Sequence, residues 1–193
     1  MNYDNLRITV QQAEDILYTL YQIKGKASAL PGEVDFNFRI KVENSDGYIL
    51  KVSRPNEDVD YLDFQQKLLQ HVEVNGHNLM APKVIMDKQG HAISEITDSY
   101  GNQRKVRLLS WISGRVWSTV NPQLNDLRYS LGEKCGQLTQ ALQGFNHSKA
   151  QREFAWDVAQ ASWTCRHIHL FKNEEKDIIA YFQKEFEAAQ NSY

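Results

Sequence analysis

The chain has 193 residues, 41% hydrophobic and 24% charged, which is ordinary usage for a soluble globular domain or two small lobes sharing an interface. A net charge of -2 and a pI near 6.3 exclude the clustered basic excess of a nucleic-acid binder; the densest basic stretch is Arg104, Lys105 and Arg107, broken by Val106. No apolar run reaches the length of a membrane span, and residues 1–10 are too polar to be a signal peptide, so a cytoplasmic protein is expected.

Residues 11–22 place Ile16, Leu17, Leu20 and Tyr21 at helical spacing. Ala27 to Leu30 is a short apolar run stopped by Pro31-Gly32. Phe36, Phe38, Ile40 and Val42 alternate with Asn37, Arg39 and Lys41, which is the period of a strand. Asn44-Ser45-Asp46-Gly47 supplies a tight turn, and residues 48–53 read as the returning strand. A helix is predicted over 58–72, with Val59, Leu62, Leu68, Leu69 and Val72 as buried positions and Asn75-Gly76 as its end. Strands follow at 83–86, 91–97 and 106–112, separated by turns at Lys88-Gln89-Gly90 and at 98–102.

After Ser113-Gly114 the strand patterns stop. Leu124, Leu127, Leu131, Cys135, Leu138 and Leu142 recur at near-heptad spacing, and further helices are expected at 152–171 and 174–189. The two cysteines, Cys135 and Cys165, are too far apart for a disulfide framework and read as small buried residues in helices. The expected class is α+β, dividing into residues 1–112 and 113–193.

Residues 30–72 hold the pattern with most chemical content. A Gly-containing turn, a strand, a hairpin, and a returning strand carrying Lys51 between Leu50 and Val52 precede a long helix. Phosphate recognition needs backbone N–H groups close to the anion and a cation at fixed distance. Loop 30–37 and Lys51 could supply both; equally, Lys51 could be a solvent-facing lysine on an edge strand.

Leu30-Pro31-Gly32-Glu33, Phe36-Asn37-Phe38, Tyr48-Ile49-Leu50-Lys51-Val52 and Leu62-Asp63-Phe64-Gln65 occur in order with kinase-like spacing. Together they resemble the front of the aminoglycoside phosphotransferase family, in its choline kinase-like breadth, and most closely its homoserine kinase and hydroxylysine kinase-like branch. The run from Val106 to Arg115 is similar to that branch's last strand and hinge. Gly144-Phe145-Asn146-His147 and Phe154-Ala155-Trp156-Asp157 are similar to its first C-lobe helices.

The resemblance implies a protein kinase-like N-lobe, a five-stranded antiparallel sheet with one helix, followed by the first helices of an α-helical C-lobe. It implies ATP as the cofactor, with Lys51 on the α- and β-phosphates. Gly32, Glu33 and Asn37 would belong to the phosphate-covering loop, and Ser110, Trp111 and Ile112 to the hinge that meets adenine. Gln65 falls where a kinase helix carries the Glu that orients the strand lysine; a Gln can accept a hydrogen bond but cannot neutralise an ammonium. Asp63 falls on a different helix face.

The family's His-x-Asp loop, its Asn and its metal-binding Asp are not found after Gly114; His167-Ile168-His169 lacks the carboxylate. Asp35-Phe36-Asn37 looks like a metal-binding Asp-Phe-Gly but precedes Lys51, and Asp157 reads as a local cap. The chain is therefore expected to be the front of a phosphotransferase acting on a hydroxyl of a small amino-containing metabolite, inactive alone, with Mg2+ binding left to a further C-terminal portion. The alternative, motivated by Gln65 and by the absent catalytic loop, is a non-catalytic kinase-like binding or regulatory module, such as the front segment of a larger aminotransferase-containing polypeptide. Neither reading calls on nucleic acid or a membrane, and no metal site is expected: His167 and His169 would point to different helix faces, and His71 and His77 read as surface or core residues.

Overall fold

The computed structural model describes residues 7–152 and 157–190. These divide into two compact units, Met1–Lys149 and Ala150–Tyr193. The first holds the helix α1 (Val10–Tyr21), the strands β1 (Lys26–Leu30), β2 (Phe36–Lys41) and β3 (Tyr48–Val52), the helix α2 (Val59–Asn75), the strands β4 (Val84–Ile85), β5 (Ser94–Thr97) and β6 (Gln103–Ser110), and the helix α3 (Asn125–Ala141). The second holds a 3-10 helix at Val158–Leu170 and the helix α4 (Asn173–Gln190). The motif Phe154-Ala155-Trp156 lies outside the described residues.

Every strand pairing is antiparallel, in the order β1-β2-β3-β6, with both β4 and β5 on the far edge of β6. The sheet has six strands where five were expected. The registers explain the difference. β4 faces Leu108 and Leu109, and β5 faces residues 103–106, so the two lie end to end along one edge of β6. Six strands thus fill five positions.

The turns flanking β5 share one construction. Asp87-Lys88-Gln89-Gly90-His91 and Asp98-Ser99-Tyr100-Gly101-Asn102 each close with the first residue's N–H on the fifth residue's carbonyl, at 2.9 Å in both. The Asp side chain accepts backbone N–H groups two and four residues on: Gln89 and His91 from Asp87, Tyr100 and Asn102 from Asp98. Asp can do this because its short carboxylate reaches its own turn. The fourth residue has φ of +87° at Gly90 and +83° at Gly101, the left-handed region that glycine enters without a Cβ penalty.

The hydrophobic core lies between α1 and one face of the sheet. Ala13, Leu17 and Tyr21 recur one turn apart on α1 and are buried against Phe38, Ile40, Leu50, Val52, Val106 and Leu108. Thr9 starts α1 through a capping box, accepting from Gln12 N–H while the Gln12 side chain accepts from Thr9 N–H. Burial pushes the Tyr21 hydroxyl up to about 12.

α2 begins at Asp58, whose carboxylate accepts from Asp60 and Tyr61 N–H. It buries Leu62, Gln66 and Val72; the expected Val59 is 44% exposed, and Leu68 and Leu69 are only partly covered. Gln66 takes the slot a turn beyond Leu62 because its Nε2 donates to Ala92 O at 2.9 Å, which satisfies a polar group that burial would otherwise penalise. The segment after α3 is fastened to α2: Phe145 and His147 pack on Phe64, His147 Nε2 lies 3.1 Å from Asp63 Oδ2, and Lys149 Nζ lies 2.7 Å from Asp58.

The cysteines differ from the expected burial. Leu124, Leu127, Leu131 and Leu138 are exposed, as is Cys135, while Cys165 is half-buried; both thiols are free. Val158–Leu170 winds as a 3-10 helix where α-helix was expected, and two side chains bond three residues back, Thr164 Oγ1 to Ala161 O and His169 Nδ1 to Arg166 O, which suits the tighter i to i+3 repeat. Among the described residues no helix is long and apolar enough to cross a membrane.

The Asp98 turn also carries a buried ion pair: Arg104, fully buried, donates Nε to Asp98 Oδ2 at 2.8 Å and Nη1 to Ser53 O at 2.9 Å. Burial alone would raise the Asp98 carboxyl, but donation from Asn102, Arg104 and Tyr100 outweighs it and brings the group down to about 2. A folded-state value below the unfolded one gives stability that is fully present above the unfolded value and is lost as pH falls through the folded one. Urea unfolding of Asp98→Ala should therefore show a loss of about 3 kcal/mol at neutral pH, since it strands a buried guanidinium. The loss should shrink as the pH drops from about 4 toward about 2. Glu95→Ala, which breaks the half-exposed Glu95–Lys105 pair, should cost less than about 1 kcal/mol.

Candidate functional site

Strand alternation decides which side chains leave the core face. Phe38, Leu50 and Leu108 are direct partners across β2, β3 and β6 and point into the core. One residue away, Asn37, Lys51 and Arg107 are also direct partners and must stand on the opposite face. This row of three polar residues crosses the centre of the sheet.

Two cations facing one another on neighbouring strands repel. Here a single carboxylate lies between them. Asp35 Oδ2 is 3.0 Å from Lys51 Nζ and 2.5 Å from Arg107 Nη2. Lys51 Nζ also donates to Asn37 Oδ1 at 3.0 Å, and Arg107 Nη1 donates to Gln65 Oε1 at 2.5 Å. The side chains are 24% exposed at Lys51, 10% at Asp35 and 2% at Arg107, so the cluster is largely withdrawn from water. Burial pulls the Arg107 guanidinium below its usual value, and the nearby charges of Asp35 and then Glu57 push it back. Arg107 Nε is buried with no hydrogen-bond partner among the described residues.

Asp35 reaches this position because the loop between β1 and β2 folds down tightly. At Gly32 a Cβ would stand 2.3 Å from Asn37 Nδ2 and 2.4 Å from Asp35 O, closer than any side chain permits, so glycine is required by the approach of the backbone. Arg54, just beyond β3, donates Nη2 to Glu33 O at 2.6 Å and ties the loop to the strand exit. Glu33, Asp35, Asn37, Lys51, Glu57, Gln65 and Arg107 line a pocket of about 220 Å3.

The structure thus brings five sequence-predicted residues together: Gly32, Glu33 and Asn37 in or beside the loop, Lys51 under it, and Gln65 on α2. Gln65 bonds Arg107, while the carboxylate on Lys51 comes from the loop. Asp63, which sequence placed on another helix face, pairs with Lys67 and His147. Asp35 and Arg107 were missed. A signal existed for each: Arg107 interrupts the apolar run Val106, Leu108, Leu109 in register with Lys51, and Asp35 ends the loop two residues before Asn37.

Ser110, Trp111 and Ile112 leave the end of β6 beside the β2–β3 hairpin. Trp111 N–H donates to Gly47 O at 3.0 Å, and Ser113 Oγ bonds Asp46 at 3.0 Å. The Arg39 guanidinium stacks 4.0 Å from the Trp111 ring centroid while donating to carbonyl oxygens of Ile40, Asp46 and Tyr48. Gly47, with φ of +77°, leaves room for that guanidinium, since a Cβ would stand 2.6 Å from Arg39 Nη1. Among the described residues no cluster of His, Cys, Asp and Glu could hold a metal ion.

A family model described as phosphotransferase enzyme family matches residues 26–191. No curated protein sequence matches the chain. Two solved structures are similar in fold. One is the amicoumacin kinase hAmiN in complex with AMP-PNP, Ca2+ and Ami, at 16% identity and a TM-score of 0.67, over 94% of this chain and 55% of that one. The other is a microcompartment-associated aminopropanol kinase, at 16% identity and a TM-score of 0.59, over 83% of this chain and 49% of that one. The chain spans about half the length of these two structures.

The cluster itself makes a stability prediction. Arg107→Ala removes the one group that links Asp35 to Gln65 and leaves both polar side chains short of a partner. Denaturant unfolding should register a loss of about 3 kcal/mol, within the range for breaking a buried pair. Lys67→Ala, breaking the surface pair with Asp63, should change stability by less than about 1 kcal/mol.

Proposed function

The chain belongs to the phosphotransferase enzyme family, and on that premise we propose that it forms the nucleotide-binding part of an ATP-dependent phosphotransferase acting on a hydroxyl of a small amino-containing metabolite. The observation that carries the reading is Lys51. It projects from the sheet face opposite the core, three-quarters withdrawn from water, into a pocket roofed by the Gly32 loop. An ammonium so placed is a good partner for phosphate oxygens.

In this reading Lys51 binds and orients the α- and β-phosphates, and loop residues Gly32, Glu33 and Asn37 bring backbone and amide groups over them. ATP supplies the transferable phosphoryl group. Adenine lies against Ser110, Trp111 and Ile112. Because Trp111 N–H is committed to Gly47, the contacts fall to the Ile112 backbone and to carbonyl oxygens of this segment. The functional division falls at residues 112 and 113, between the sheet and the helices that follow. An intracellular nucleotide supply fits a cytoplasmic enzyme. The aminopropanol kinase of similar fold is named for an amino-bearing substrate, which supports the acceptor class.

Phosphoryl transfer needs a base for the acceptor hydroxyl and acids for the metal. The 193 residues contain no His-x-Asp, and the described residues contain no metal cluster. Residues 1–193 alone are therefore proposed to lack turnover. A second reading, a non-catalytic kinase-like module, draws on Gln65. Its neutral amide is bonded to Arg107 and adds no charge to orient Lys51.

Two measurements test the assignment of Lys51 and the proposed inactivity. In a form of the protein that binds ATP, Lys51→Ala should weaken binding or turnover by about tenfold or more, given the strength of a charge-assisted phosphate contact. Lys41→Ala, on an exposed position of β2, should change either by less than about twofold. Equal effects would leave Lys51 as an ordinary strand lysine. Purified residues 1–193 should not phosphorylate a small amino alcohol; measurable turnover would refute the proposed inactivity.

A further inference from the structure

The pocket around Lys51 contains its own anion. Asp35 Oδ2 is held at 3.0 Å by Lys51 and at 2.5 Å by Arg107, two cations that stand directly opposite one another on β3 and β6. An oxygen anion bridging an ammonium and a guanidinium is also how a phosphate oxygen is held. Arg107 is 2% exposed, lines the same pocket, and keeps a buried Nε without a partner among the described residues, so its donor capacity is not exhausted.

We infer that Asp35 is a resident counter-ion standing where a nucleotide phosphate oxygen binds, that nucleotide enters by exchanging with it, and that Arg107 is a second phosphate-binding cation beside Lys51. This rests on the assignment of Lys51 to phosphate. The carboxylate is able to leave because it sits at the end of an exposed loop: Pro31, Gly32, Glu33 and Val34 all face solvent. It must leave, because a carboxylate beside a phosphate would repel it. Glu57 and Glu33 also line the pocket and remain after exchange, against the charges of Lys51, Arg107 and the neighbouring Arg54. With Asp35 in place the pocket is not positive; with Asp35 displaced the two central cations turn to the incoming anion. The apparent affinity for nucleotide is thereby reduced by the fraction of molecules in which Asp35 still holds the site.

The test is calorimetric titration of the 193-residue chain with inorganic triphosphate, which carries the phosphate chemistry without the base. Asp35→Asn should bind about tenfold tighter than the wild type, a change of about 1.4 kcal/mol. The gain should vanish in Asp35→Asn/Lys51→Ala, and Arg107→Met in the Asp35→Asn background should weaken binding by a comparable factor. Thermal transitions verify folding, and Asp35→Ser, which keeps an acceptor for Arg107, replaces Asp35→Asn if that variant does not fold. Triphosphate binding by Asp35→Asn no tighter than the wild type, with Lys51→Ala still weakened, overturns the exchange and leaves the Lys51 assignment standing. An unaltered affinity in Arg107→Met overturns the second cation. Lys51→Ala binding as the wild type does, or no binding by any variant, overturns the inference together with the reading it rests on.

Discussion

Two cations placed face to face on adjacent strands constrain everything around them. Lys51 and Arg107 are in register on β3 and β6, so both side chains rise from the same face of the sheet. Their repulsion is relieved by the carboxylate that bridges them, Asp35, and that requirement dictates the path of the loop before β2. The loop can descend far enough only because residue 32 is glycine, and it is kept down by Arg54 on the Glu33 carbonyl. The same demand reaches α2. Gln65 gives its carbonyl oxygen to Arg107, so the helix that would orient the lysine by charge in a protein kinase is here coupled to the neighbouring strand by a neutral acceptor.

The face opposite supplies the rigidity that makes the cluster reproducible. Leu50 and Leu108, one residue from Lys51 and Arg107, are fully buried against α1, and a slip of one residue in either strand would drive the cations into that apolar layer. β6 is the strand on which this depends. It pairs with β3 along one edge and with β4 and β5 end to end along the other, and the two Asp-x-x-Gly turns close the excursions between those segments. Asp98 does double duty, shaping its turn and neutralising the buried Arg104 at the start of β6.

Local pattern made much of this legible. Alternation in Phe36 to Val42 and the Asn-Ser-Asp-Gly turn gave the β2–β3 hairpin, and apolar spacing gave α2 within a few residues of its bounds. The kinase-like reading of the fold followed from ordered motifs and agrees with the family match. That β4 and β5 share one edge of β6 was less accessible, because both are too short to reveal it from sequence. Gln66 was hidden for a different reason: its burial depends on a carbonyl at Ala92, far along the chain. Asp35 could not be placed without knowing that the loop folds back over Lys51. Arg107 read as part of a basic cluster with Arg104 and Lys105, although alternation alone puts Arg107 on the face opposite Arg104's neighbours Val106 and Leu108. Cys135 was expected to be buried and is exposed, because helical periodicity states which face is apolar and not what covers it.

A crystal structure of the chain with a nonhydrolysable ATP analogue would test the central claim most directly. The account predicts a phosphate oxygen within about 3 Å of both Lys51 Nζ and an Arg107 nitrogen, with the Asp35 carboxylate withdrawn from between them. An analogue bound with its phosphates remote from Lys51, while Asp35 still bridges the two cations, would contradict it.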